Sequence, residues 1–188
     1  MRHKRAAQYQ IGIDVDPLVV GKWNKMQDRP CEIVCADAVS YLTGQTIDEK
    51  TLIYADPPYV PSTRKRSRVY RHDYTDGDHE RLIACLCTMP CMVMLSGYDS
   101  ELYRSLLGGW TRVSFRAKTH TDVREESVWL NFEPPRNLHD SNYLGRSFRE
   151  REAIKRRRHR IQSRIESLST IEQYSLLAWL QHQLEETL

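Results

Sequence analysis

The sequence predicts an α/β protein built on an open, mostly parallel sheet, followed by a helical appendage. Two observations carry the sheet, the short apolar runs and their alternation with helical patterns. Short apolar runs near residues 11–15, 31–35, 51–55, 91–96, 111–117 and 127–132 alternate with helical patterns instead of following one another directly. Alternation of that kind requires crossover connections, and hence parallel strands with helices on both faces. A third observation, a change of composition after Pro134-Pro135, separates a first domain (1–133) from a basic segment (134–188).

The elements follow in order. Ile11-Gly12-Ile13-Asp14-Val15-Asp16-Pro17 reads as a strand ending in acids, with a helix from Leu18. Ile33-Val34-Cys35-Ala36-Asp37-Ala38 repeats the pattern of strand, then acid. Thr51 to Ala55 is a short apolar run that suits a buried strand. A helix over 76–88 has its cap in Thr75 or Asp76 and an apolar face of Leu82, Ile83 and Leu86. Met92 to Leu95 forms the next strand. A helix over 99–107, bearing Leu102, Tyr103, Leu106 and Leu107, stops at Gly108-Gly109. The last two strands lie close enough in sequence to form an antiparallel edge.

Beyond the prolines, Arg146, Arg149, Arg151, Lys155, Arg156, Arg157, Arg158, Arg160 and Arg164 crowd one helical pattern above Ile154, Ile161, Ile165 and Leu168. Thr170 with Gln173 has the form of a capping box, opening a second helix with Leu177, Leu180 and Leu184 on one stripe. The two predict a helical hairpin. Its basic helix suits either contact with a nucleic-acid backbone, through Arg156, Arg157 and Arg158 above all, or a solvated face covering a sheet edge.

Composition narrows the class without choosing a function. The formal net charge is +3, so any basic surface must be local. Five cysteines, an odd number mostly on strand and helix patterns, read as reduced thiols of a cytoplasmic protein. Cys85-x-Cys87-x3-Cys91 has no matching cluster at zinc spacing, so no metal is expected. No apolar run approaches membrane-spanning length, and Met1-Arg2-His3-Lys4-Arg5 lacks the apolar stretch of a signal peptide.

The chemistry concentrates in Asp56-Pro57-Pro58-Tyr59, directly after the third strand. The carboxyl end of such a strand is where open α/β sheets place ligands. Both prolines lack an amide donor and fix φ, so they make a rigid ledge with carbonyls left to accept. Asp56 adds a charged acceptor and Tyr59 a flat face for stacking. Together these groups suit an amino group on a planar ring. The plainer alternative is a Pro-Pro turn with a local Asp cap.

In order and spacing, these segments resemble the Asp-Pro-Pro-Tyr class of DNA adenine-N6 methyltransferases over roughly residues 8 to 133. The resemblance implies a Rossmann-like methyltransferase sheet, S-adenosylmethionine as cofactor and DNA as partner. It implies that Asp56, Pro57, Pro58 and Tyr59 are catalytic: Asp56 and the Pro57 carbonyl accept the hydrogens of a flipped adenine's N6, and Tyr59 stacks the base. It assigns Asp14 to the cofactor ribose and Asp37 to the cofactor adenine, although each also suits a helix cap. Ser96, Gly97 and Tyr98 match the lining of the target pocket, while Arg124, Glu126, Trp129 and Asn131 match the final strand, with Trp129 expected in the core.

Two departures accompany the matches. The family's opening strand and Phe-x-Gly-x-Gly loop would precede Met1, and Met1 to Ala7 reads as the middle of the helix after them. The expectation is a sheet lacking its first, central strand, poor cofactor binding by this chain, and a complementing upstream polypeptide. The usual target-recognition insert is reduced to a polar stretch around Thr43 to Lys50. Readout of DNA then falls to the segment from Ser62 to Tyr74, where Arg64, Lys65, Arg66, Arg68 and Tyr70 mix bases with an aromatic. The alternative for that segment is a solvated charged loop.

Competing readings are a non-catalytic nucleic-acid-binding remnant, an RNA adenine methyltransferase, and a cytosine methyltransferase using Pro90-Cys91. The last is disfavoured because Cys91 opens an apolar strand and should be a buried, inert thiol.

Overall fold

The computed structural model describes residues 7–26, 31–64, 70–118, 123–134, 144–145 and 147–186. The chain divides into two compact units, Met1–Pro134 and Pro135–Leu188. The first is α/β. Its elements are β1 (Ile11–Asp14), α1 (Pro17–Asn24), β2 (Glu32–Cys35), α2 (Ala38–Thr43), β3 (Leu52–Ala55), a 3-10 turn (Pro61–Thr63), α3 (Asp76–Cys87), β4 (Met92–Gly97), α4 (Glu101–Leu106), β5 (Thr111–Lys118) and β6 (Val123–Leu130). The second holds α5 (Phe148–Glu166) and α6 (Thr170–Glu185).

The helices start where capping chemistry tells them to. Asp16, Asp37, Thr75 and Ser100 each take extended backbone and accept an amide hydrogen from the first turn of α1, α2, α3 and α4. At α3 the cap is reciprocal, with Asp78 accepting from the Thr75 amide.

The strands form two sheets rather than one. β1 pairs with β2 in parallel, and a second sheet runs in the order β3-β4-β6-β5, with β3 parallel to β4 and β6 antiparallel to both of its neighbours. The antiparallel edge expected of the last two strands is present. β6 begins and ends earlier than its sequence pattern, because pairing with β5 extends it back to Val123. Past its end, the Asn131 side chain takes over the ladder: Oδ1 accepts from the Val93 amide at 2.7 Å and Nδ2 donates to the Cys91 carbonyl at 2.9 Å.

The core lies on one face of the four-stranded sheet. Val93 and Leu95 of β4 are wholly buried, against Leu82, Ile83 and Leu86 of α3 and Tyr103 of α4. An aromatic ladder crosses it, from Tyr74 to His79 to Tyr103 to Trp129, with successive ring centroids 5.3, 5.5 and 5.0 Å apart in edge-to-face contact. Trp129 is a core residue, as expected. The opposite face departs from the expectation of a sheet covered on both sides. Register places Leu52 and Tyr54 of β3 beside Met92 and Met94 of β4, yet Leu52, Tyr54 and Met92 remain exposed, as do Val113 and Phe115 of β5. No helix of the described part of this unit covers them.

The second unit is a helical pair, not a hairpin with its own core: no described residue of either helix is buried. The cap of α6 also moves by one position from the expected Thr170 with Gln173. Ser169 is the cap residue and Glu172 its reciprocal partner, because only this register places a carboxylate at the third helical position to accept from the cap amide. Residues 1–6, including most of the segment read as a helix, lie outside the described residues.

One consequence for stability follows from His79. Its ring is fully buried, Nδ1 shares a hydrogen bond with the Tyr103 hydroxyl at 3.0 Å, and Nε2 has no partner among the described residues. Burial pushes its pKa below the ordinary value of 6.5. The unfolded chain therefore binds a proton that the folded chain refuses. The contribution of His79 to the stability of the first unit is full above about pH 6.5 and falls as pH drops below it. Urea denaturation across that interval should show a shallower dependence on pH for His79→Gln than for the parent chain.

Candidate active site

The ledge after β3 is positioned by β4. Parallel pairing of Ala55 with Leu95 sets the end of β3 beside Ser96. The Ser96 hydroxyl, almost wholly buried, donates to Asp56 Oδ1 at 2.8 Å and lies 3.2 Å from the Ala55 carbonyl. This fixes one oxygen of an otherwise exposed carboxylate. Asp56 precedes two prolines rather than a helix, so no amide of a first turn claims its other oxygen. Pro57 is buried, and among the described residues no donor is bonded to the carbonyl of Pro57 or Pro58.

Tyr59 is held from three sides. Its ring meets that of Tyr98 edge to face at 4.6 Å, and its hydroxyl donates to Glu126 Oε2 at 3.3 Å. Burial, with the neighbouring charges of Asp56 and Glu126, raises its pKa, so the hydroxyl stays protonated. Its carbonyl accepts from Arg64 Nε. Tyr98 is in turn braced by Arg124, whose guanidinium lies 5.4 Å over the ring and donates to the Tyr98 hydroxyl at 3.3 Å. Asp56, Pro57, Pro58, Tyr59, Ser96 and Tyr98 thus come together at the ends of β3 and β4. Glu126 and Arg124, which the sequence placed only on a final strand, join them from β6.

Arg64 belongs to this site in a different way from that expected. Its side chain is 5% exposed and forks onto Asp73 at 2.8 and 2.6 Å, while Tyr70 lies over its guanidinium at 5.4 Å. With its donors turned inward to Asp73 and to the ledge, Arg64 is an anchor rather than a surface for phosphate. Tyr70 is brought close to Asp56, whose charge, after burial, raises the Tyr70 pKa. Lys65, Arg66 and Arg68 lie outside the described residues.

The two cofactor candidates differ. Asp14, at the end of β1, accepts from the Asp16 amide through Oδ1 at 2.8 Å and keeps acceptor capacity to spare. Asp37 caps α2 and is occupied: Ser40 donates to it from amide and hydroxyl, and Arg81 reaches both oxygens at 3.1 and 2.9 Å. The Arg81 guanidinium holds its carboxyl below the usual carboxylate range. Asp14 therefore keeps an oxygen able to accept from a ligand hydroxyl, whereas both oxygens of Asp37 are already paired.

Among the other candidates, the basic run of α5 does not act as a block. Arg156 and Arg157 are exposed, whereas Arg158 falls beside the apolar stripe of Ile154, Ile161 and Ile165 and is half-buried. The exposed basic face groups Arg149, Arg156, Arg160 and Arg164 instead, a helical periodicity visible in the sequence once positions are projected at 100°. Cys91 is buried, and burial raises its pKa, leaving an unreactive thiol. Among the described residues no group of His, Cys, Asp and Glu could hold a metal ion, and no helix is long and apolar enough to cross a membrane.

The anchoring of the ledge is measurable. Arg64→Ala removes both fork bonds from the partly buried Asp73 carboxylate, whose Oδ1 also accepts from the Tyr74 amide, and should destabilise the first unit by about 3 kcal/mol. Asp73→Ala should cost a similar amount, and the double variant little more than either single one, in a cycle read by chemical denaturation. Additive losses would show that the two residues act independently.

Compared with known proteins, the sequence matches no family model and no curated protein.

Proposed function

We propose that the first unit is the amine-binding half of an S-adenosylmethionine-dependent methyltransferase acting on the N6 of an adenine flipped out of DNA. The observation that supports this reading most is the preorganised acceptor at the ledge. Ser96 holds Asp56 by one oxygen, and the two prolines that follow Asp56 in sequence have carbonyls that carry no donor among the described residues. Such a set suits an amino group with two hydrogens to donate. Accepting both hydrogens directs the nitrogen lone pair away from the ledge and stabilises positive charge arising on nitrogen. Tyr59, steadied by Tyr98 and Glu126, offers a ring on which the base stacks. The cofactor, when bound, supplies the methyl group; Asp14 holds its ribose.

The divided sheet bears on the partner. Among the described residues, β1 has no strand on the side away from β2, and β3 none on the side away from β4. Unpaired edges of this kind accept another strand. In this reading a complementing polypeptide, carrying a parallel strand and a Gly-rich turn, pairs there and provides the rest of the cofactor cradle. One observation favours a second reading, a nucleic-acid-binding remnant without catalysis: the pairing of Asp37 with Arg81 closes a position that the cofactor adenine needs.

Calorimetry and a methylation assay separate the two. The chain mixed with a polypeptide carrying the strand and turn should bind S-adenosylmethionine more tightly than the chain alone and should transfer methyl groups to adenine. Asp56→Ala should then reduce transfer at least a hundredfold, about 3 kcal/mol at the transition state, with cofactor affinity and fold intact. Tight cofactor binding without any transfer would remove the ledge from the chemistry. No binding under any condition would support the remnant.

The exposed face of α5 supports DNA as the partner. Neutralising Arg156 and Arg160 together should weaken binding evenly across DNA sequences. It should also flatten the dependence of log affinity on log salt by about 0.9 for each phosphate that the variant no longer neutralises. An unchanged slope would assign the face to solvent.

A further inference from the structure

The second unit carries apolar surface that its own fold leaves uncovered. Leu176, Leu177, Leu180 and Leu184 form a stripe along α6 at helical spacing. Leu177, Leu180 and Leu184 are 49%, 42% and 64% exposed. On the remaining circumference Tyr174 and Trp179 are exposed too, and the only charged residues of the helix are Glu172 and Glu185. An apolar stripe along the length of a helix is ordinarily covered by another element. α5 presents the complementary half: Ile154, Ile161 and Ile165 recur along one side, opposite the exposed arginines.

The helices do not cover one another within the chain. Only Ser167–Ser169 separates them, and the Gln173 side-chain amide spans that turn by donating to the carbonyls of Ile165 and Leu168 at 3.1 and 3.0 Å. These bonds satisfy carbonyls at the end of α5 and pin the start of α6 to them. Beyond Leu176 every described residue of α6 is exposed, so the pair is pinned open.

Charge selects what closes it. α5 has eight lysines and arginines against Glu150, Glu152 and Glu166, whereas α6 has no basic residue other than His182 and an acid near each end. Two α5 helices side by side would repel. Two α6 helices side by side would leave the isoleucine stripe of α5 wet. α6 against α5 joins opposite charges and covers both stripes.

We propose that this pairing is made between two copies of the chain: α6 of each lies on the apolar stripe of the other's α5, about a twofold axis, giving an intermolecular four-helix assembly. The exposed arginines of both α5 helices then face outward. The proposal is independent of the methyl-transfer reading.

Sedimentation equilibrium of the full chain should approach twice the 22.1 kDa monomer mass as concentration rises. The double variant Leu177→Glu, Leu184→Glu should stay monomeric with the thermal transition of the first unit unchanged, while Leu177→Met, Leu184→Met should still dimerise. A second measurement does not depend on tolerating the glutamates. Ile161 and Leu180 each lie five residues before the end of their helix, so they meet where the helices run parallel, and Ile154→Cys takes the place of Ile161→Cys where they run antiparallel. Chains carrying Ile161→Cys, mixed with differently tagged chains carrying Leu180→Cys, should on mild oxidation give a disulfide between those two positions in different chains. A single chain carrying both cysteines that links only within itself, or a monomer mass at every concentration, would overturn the proposal.

Discussion

Burial of β4 is the constraint on which the first unit depends. Val93 and Leu95 have no contact with water, and the strand is paired on both sides, with β3 in parallel and β6 antiparallel. Moving β4 would disturb the core through these two side chains and the site through Ser96, which follows directly. Gly97 shows how close the fit is: a Cβ there would lie 3.2 Å from the Tyr103 ring and within van der Waals reach of Trp129. The aromatic ladder and the turn that carries Tyr98 are thus packed against one short stretch of backbone. At the other end Asn131 ties β6 to Cys91 and Val93. A site attached to so rigid a strand is held in place by the core, which is what a preorganised acceptor requires.

Acids at the ends of β1, β2 and β3 have different neighbours, and these decide what each can do. Asp37 is followed by a helix, so its oxygens meet the amides of a first turn, and Arg81 takes what remains. Asp14 stands two residues before the cap of α1 and accepts one amide. Asp56 is followed by prolines, which have no amide to offer and start no α-helix within hydrogen-bond range. Its single tie among the described residues is to Ser96, a side chain from the adjacent strand. The same residue type in the same position is a cap in one strand and an open acceptor in another because of the next two residues.

Much of the fold was legible because its signals are local. Strand runs, the caps at Asp37 and Thr75, and the Gly108-Gly109 stop each act within a few residues. The ledge was legible for the same reason: rigidity and missing donors are properties of Pro57 and Pro58 themselves. Arg64 was not. Its base-rich neighbourhood suggested phosphate contact, and only folding brought Asp73 and the Tyr59 carbonyl to its fork. Glu126, 67 residues from Tyr59, and Arg81, 44 from Asp37, pair at separations that no periodicity encodes.

The sequence by itself determined the order of strands and helices, the break near Pro134, the chemistry of Asp56-Pro57-Pro58-Tyr59 and the apolar stripes of α5 and α6. These follow from steric, hydrogen-bonding and hydrophobic preferences that each residue carries into any environment. Only the tertiary structure decided that the strands form two sheets, that one face of the larger sheet is left apolar and exposed, and that α5 and α6 are pinned open by Gln173. It alone turned Arg64 inward, closed Asp37 with Arg81 and left Asp56 open. Those outcomes depend on which groups meet across the chain, and the free energy of a contact is set by both partners and by the water removed between them.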